Sequence, residues 1–197
     1  MIKQYNGAKA QRRSSGREVL PAGGYVARIL NAEVQHYNFS NGAVDKLVLS
    51  FDILEGKFKD FFKIDYQNNQ NEDKKWRGMF RITIPADDGT ESDGWAKNAF
   101  NNFIYALEDG NPGYTWAWDE TTLKGKVIGV LFRNKEWEFN GNTGWTTECC
   151  AVDAASAIRE GNFKMPKDKP LSNKKSASGG NSGGFTEVDD SAGDLPF

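Results

Sequence analysis

Lys46-Leu47-Val48-Leu49-Ser50-Phe51-Asp52-Ile53 is the stretch whose period decides the fold class. Leu47, Leu49, Phe51 and Ile53 fall on every second residue, with Lys46, Ser50 and Asp52 opposite them. Successive side chains on a strand point to opposite faces, so this is a half-buried strand with one apolar side. Upstream, Gly23-Gly24 opens a run from Tyr25 to Tyr37, with Val26, Leu30 and Val34 on one side. Phe39-Ser40-Asn41-Gly42 joins the two runs and carries the Asn-Gly pair of a tight hairpin. Downstream, Phe80, Ile82 and Ile84 alternate against Arg77, Met79, Arg81 and Thr83, a third strand that Pro85 stops. Residues 55–74 are polar and aromatic without a clean period, and read as an insertion with room for a short helix.

Asp87-Asp88-Gly89 turns the chain, and Ser92 or Asp93 is placed to cap a helix. Trp95, Ala99, Phe103 and Leu107, with Phe100 and Ile104, form the apolar stripe of that helix, which ends near Gly110. A Trp-rich loop follows Asn111-Pro112-Gly113. Lys126 to Trp137 is a fourth strand, Asn140 to Gly144 a hairpin, Trp145 to Val152 a fifth strand, and Ala154 to Arg159 a short helix. Three strands, a helix and two more strands, joined by short turns, are the order of a five-stranded antiparallel OB-fold barrel. The expected fold is therefore all-β with one main helix, an OB barrel with insertions. The competing architecture is a small α+β sheet with one packed helix.

The chain has 197 residues, 25 Lys and Arg, 27 Asp and Glu, one His and a formal net charge of −2. That length gives one domain with arms and buries enough surface to need no disulfide or metal staple. No apolar run approaches the roughly 18 residues of a membrane helix, and Met1-Ile2-Lys3-Gln4-Tyr5-Asn6 lacks the apolar core of a signal peptide. The two cysteines, Cys149 and Cys150, are adjacent and read as reduced thiols of a cytosolic protein. Charge is unevenly spread. Met1 to Arg17 holds Lys3, Lys9, Arg12, Arg13 and Arg17 and no acid. Residues 176–197 hold Glu187, Asp189, Asp190 and Asp194 and no base. The division is a basic arm over 1–18, a folded domain over 19–165, and a Gly/Ser/Asn-rich linker with an acidic tip over 166–197, which its composition marks as disordered.

The last residues, Asp189-Asp190-Ser191-Ala192-Gly193-Asp194-Leu195-Pro196-Phe197, resemble the acidic tip of bacterial and phage single-stranded-DNA-binding proteins. In that family a Gly/Ser/Asn-rich linker leads to acids and a terminal Leu/Ile-Pro-Phe. The body is similar, more loosely, to the phage and prophage type of Gram-positive hosts, through Trp76-Arg77-Gly78 and Asn134-Lys135-Glu136-Trp137-Glu138. The resemblance implies an OB fold, sequence-tolerant binding of single-stranded DNA, and recruitment of host or phage replication and recombination enzymes by the tip. It implies no cofactor and no catalysis, and a place in the host cytosol for a phage-encoded chain. Self-association into a homo-oligomer is left open.

A single strand is held by a positive groove and by aromatic faces on which bases stack. The candidate DNA-binding residues are Lys57, Phe58, Phe61, Lys63 and Tyr66 in the insertion and Lys75, Trp76, Arg77 and Arg81 on the third strand. Arg133, Lys135 and Trp137 on the fourth strand, Phe39 at the first turn, and Arg12 and Arg13 in the arm complete the set. Asp189, Asp190, Asp194, Leu195, Pro196 and Phe197 are the candidate partner-binding residues. Two other readings compete. Asp87, Asp88, Glu91 and Asp93 could hold Mg²⁺ for a phage nuclease, although a turn and a helix N-terminus account for the same acids. The tip could also belong to an adaptor or inhibitor that mimics a binding protein without touching DNA. His36 has no partner in the sequence pattern, and one His with two adjacent Cys builds no zinc site by itself.

Overall fold

The computed structural model describes residues 18–39 and 42–171. The arm residues Arg12 and Arg13, and all six tip residues from Asp189 to Phe197, lie outside the described residues.

The expected strands form one antiparallel five-stranded sheet. β1 runs Gly23–Phe39, β2 Gly42–Ile53, β3 Met79–Thr83, β4 Val127–Phe139 and β5 Asn142–Asp153, in the order β3-β2-β1-β4-β5. The sheet is not closed: β3 and β5 are neighbours in space, but no backbone ladder joins them. Three helices accompany it: α1 Phe61–Asn68, α2 Glu91–Gly110 and α3 Ala155–Glu160. No helix among the described residues is long and apolar enough to cross a membrane.

The alternation in β2 sets the core. Leu47, Leu49, Phe51 and Ile53 are each 1 % exposed, and the register places Leu47 beside Ile82 and Ile29 beside Phe51. Ala27, Ile128, Val130 and Phe132 continue the same buried face across β1 and β4. α2 lays Phe100, Phe103, Ala106 and Leu107 into this core. Its buried stripe differs from the expected one: Trp95 and Ala99 face outward, and Asp93 is buried. The cap also differs. Thr90, not Ser92 or Asp93, precedes the first turn, and its hydroxyl accepts from the Asp93 N–H. Asp93 instead turns inward to accept from the Asp87 N–H and to meet the Lys97 ammonium at 2.9 Å.

β1 is long enough to serve two neighbours. Gly23 to Arg28 pairs with Phe132 to Val127, while Ala27 to Phe39 pairs with Ile53 to Gly42 of β2. A bulge at Leu30, between Ile29 and Asn31, lies where the β4 pairing ends. Beyond it the β1–β2 ribbon runs out one way, and beyond Phe132 the β4–β5 ribbon runs out the other. The outer face of β1 and β4 is covered by α3. A Cβ at Gly24 would meet Ile158 and Phe163 at 2.7–2.8 Å, so those side chains would have to shift, and one at Gly129 would meet the Asp153 carbonyl at 2.5 Å, which leaves no room for a side chain there.

The expected linker begins as structure. Lys169 N–H donates to the Asn134 carbonyl and Glu136 N–H to the Lys169 carbonyl, at 2.8 Å each. Leu171 N–H reaches the buried Glu136 carboxylate. The chain thus lies as a short parallel strand on the outer edge of β4 before the described residues end.

Candidate nucleic-acid interface

The register builds the outer face of β1–β2–β3 rung by rung. Phe39 faces Gly42, Tyr37 faces Val44, Gln35 faces Lys46 and Thr83, and Glu33 faces Val48 and Arg81. Asn31 with Ser50 and Met79, then Arg28 with Asp52, complete it. At the ribbon end, Tyr37 and Phe39 stack nearly parallel, 10° apart at 6.2 Å, and the Lys46 ammonium sits over both rings at 5.3 and 5.9 Å. Phe39 is 39 % exposed, whereas Lys46 and Val48 are buried at the middle of the face. Arg81 is exposed on β3.

At the other end α1 abuts β2, and Asp52 holds its first turn there. Its carboxylate accepts from the N–H groups of Ile53, Phe62 and Lys63 at 2.9, 2.9 and 3.1 Å, so a strand side chain caps the orphan donors of the first helical turn. Burial pushes the Asp52 pKa up, and the three backbone donors hold it back only in part. The helix start needs a sharp entry, and Asp60 supplies it in the left-handed region at φ 59°. Between α1 and the Leu30 bulge lies a cleft lined by Arg28, Leu30, Asp52, Asp60, Lys63 and Trp76. Among the described residues, the Arg28 guanidinium and the Lys63 ammonium form neither an ion pair nor a hydrogen bond.

The expected site residues separate into engaged and accessible groups. Trp76 and Arg77 do not lie on the third strand, which begins only at Met79. Gly78 lets the chain approach closely there: its carbonyl accepts the Phe51 N–H at 2.8 Å, and a Cβ would meet the Phe51 carbonyl at 2.3 Å. The half-buried Trp76 gives its indole N–H to the Phe51 and Gly78 carbonyls, 3.1 Å each, and packs against Phe62 and Tyr66. Arg77 is bonded to Asp65 at 2.9 Å. Phe61 is a core residue at 8 % exposure, which corrects its expected role as a base contact: the Phe58–Phe61–Phe62 edge-on cluster packs under the sheet instead. Phe58 is half-buried against Tyr25, with the Lys57 ammonium over its ring. Tyr66 is half-buried under Lys74, while Lys63 and Lys75 are exposed.

On the β4–β5 ribbon the expected cations already have a partner. Arg133 and Lys135 both bind Glu148 across the pair, at 2.8 and 3.1 Å. Burial would raise the Glu148 pKa, but the bonds from Lys135 and Arg133 outweigh it and the pKa is lowered. Trp137, 41 % exposed, lies over Gly144, where a Cβ would meet the indole at 2.7 Å. Phe139 and Trp145 on the same ribbon are also exposed.

Three of the four carboxylates at 87–93, Asp87, Asp88 and Asp93, are engaged. Asp88 accepts from the Thr90 N–H and hydroxyl, while Asp87 and Asp93 share Lys97, which raises the Lys97 pKa and lowers that of Asp93. No group of three or more His, Cys, Asp or Glu among the described residues is placed to hold a metal. His36 has a partner across the ribbon, Asp45 at 2.5 Å. Both thiols are free, and burial raises the pKa of each. Sequence reasoning missed Arg28 and Leu30. Their signal was the break in the β1 period at Leu30, legible only once the register is known. Comparison with protein-family models finds no match to this chain, and comparison with curated proteins finds none either.

Proposed function

We propose that this protein binds single-stranded DNA without strong sequence preference, and that its acidic C-terminal tip recruits DNA-processing enzymes. The strand order β3-β2-β1-β4-β5, with α2 between β3 and β4, is that of an OB barrel left open between β3 and β5. In such a fold the outer face of β2–β3 and the two hairpin ends carry oligonucleotides. The observation that carries the reading is the sorting of cations on that face. Arg28 and Lys63 flank a cleft walled by Leu30 and Trp76 and have no protein partner among the described residues. Phosphates are the anions that such a pair would take, while Trp76 and the Tyr37–Phe39 stack offer ring faces to bases.

In this reading Arg81, Lys57 and Lys63 track the backbone, and Arg133, Lys135 and Trp137 form a second arm. The tip residues Asp189, Asp190 and Asp194 add charge, and Leu195-Pro196-Phe197 fills an apolar pocket on the recruited enzyme. The linker root on β4 at Lys169 to Leu171 fixes where the tail departs. The test is binding of oligo-dT by the Arg28→Ala/Lys63→Ala variant beside the parent protein. Equal affinity and equal salt dependence would remove the cleft from the site.

A further inference from the structure

The chemistry of the α2 side is opposite to that of the β1–β2–β3 face. Between Pro85 and Leu123 the sequence carries eight carboxylates and a single cation, Lys97. That cation is bound to Asp87 and Asp93. Glu91 and Glu120, by contrast, make neither a hydrogen bond nor an ion pair among the described residues.

The α2 side also presents the most exposed large apolar side chain among the described residues. Trp118 is 68 % exposed, yet it is held firmly in place. One face of its ring stacks on Phe100, 10° apart at 5.9 Å, and on Trp116, 26° apart at 5.3 Å. Trp116 is itself anchored by its indole N–H to the Asp119 carbonyl at 2.9 Å. The backbone of Trp118 is left-handed, with φ 64°, a conformation that strains a bulky residue. The chain thus accepts local strain to keep a tryptophan facing solvent beside Asp119 and Glu120. Asp119 and Glu120 follow Trp118 in the chain, and an exposed aromatic face with carboxylates nearby suits a cation, above all the planar guanidinium of Arg.

We infer that this acidic aromatic surface docks the basic arm, residues 1–17, of a second copy of this chain. The arm has the complementary chemistry: Lys3, Lys9, Arg12, Arg13 and Arg17, with no acid. Arm and surface are different patches, so the contact is heterologous and adds copies head to tail rather than closing a two-fold dimer. The inference does not depend on DNA binding, because the association is measured without DNA.

The test is sedimentation velocity of the full chain over a concentration series, at low and at high salt. The weight-average mass should rise with concentration at about 50 mM salt, and the apparent association constant should fall at least about tenfold at 0.5 M. Deleting residues 1–17 should abolish the rise, and so should Trp118→Ala, whose melting temperature should stay close to that of the parent because the side chain is mostly solvated. Glu91→Lys/Glu120→Lys should also abolish it, and adding Arg12→Glu/Arg13→Glu to that variant should restore it. A synthetic peptide of residues 1–17, added to the deleted protein, should quench tryptophan emission. A monomer at every concentration would overturn the inference, and so would self-association that survives loss of the arm. Quenching by the peptide with no rise in mass of the intact chain would mean that each arm folds onto its own domain, which also overturns docking between copies.

Discussion

Replacing Arg28 and Lys63 together by Ala should change the salt dependence of strand binding more than replacing Arg133 and Lys135. Each phosphate neutralised on a single strand contributes about −0.7 to the slope of log K against log salt. Arg28, Lys57, Lys63 and Arg81 are four exposed cations on the β1–β2–β3 face or the α1 segment that abuts β2, so the parent slope should be about −2.8. Between 50 and 500 mM salt its affinity should fall roughly 600-fold, against roughly 25-fold for the double variant, whose slope is about −1.4. Arg133→Ala/Lys135→Ala should flatten the slope less, because Glu148 already neutralises part of that pair. The assay is fluorescence anisotropy of labelled oligo-dT over five salt concentrations. A double-variant slope equal to that of the parent, or a larger change in the Arg133/Lys135 pair, would refute the assignment of the strand to the cleft.

Four further outcomes are expected. Trp76→Ala should cost about 2 kcal/mol of stability, since a half-buried ring with two N–H···O contacts is worth roughly half a fully buried one. Trp137→Ala should cost under about 1 kcal/mol of stability while weakening strand binding by about 1–3 kcal/mol, and thermal melts beside titrations separate the two effects. Glu148 has a lowered pKa, so its contribution to stability is complete above the usual glutamate range near 4.5 and is lost as the pH falls through the folded-state value. Acid melts of Glu148→Gln should therefore lose part of the decline that the parent shows below that range. Deleting residues 189–197 should leave DNA binding unchanged or tighter and abolish capture of the recruited enzyme. Equal capture by the parent and the deleted protein would show that the tip recruits nothing.

The strand pattern was legible because its signal is local. Leu47, Leu49, Phe51 and Ile53 alternate on one apolar face, and Asn140-Gly141 marks the second tight turn, so the strands and their hairpins follow directly. The candidate site was less legible because it depends on register and on what covers each face. Arg28 and Leu30 read as ordinary positions of a strand until the bulge turns them toward the cleft. Phe61 and Trp76 sit in a segment with no period, and only the Asp52 cap and the Gly78 approach show that one belongs to the core and the other to the cleft wall. Arg77, Arg133 and Lys135 matched the expected basic–aromatic pattern, but Asp65 and Glu148, distant in sequence, engage them. The closure expected of a barrel was not legible either, because strand order does not determine whether β3 and β5 exchange backbone hydrogen bonds.

The most direct test of the central claim is intrinsic tryptophan fluorescence of the full chain at physiological salt, titrated in parallel with oligo-dT and with the corresponding duplex. Bases stacking on the exposed rings should give saturable quenching by the single strand and none by the duplex. No response to the single strand, or an equal response to both, would contradict it.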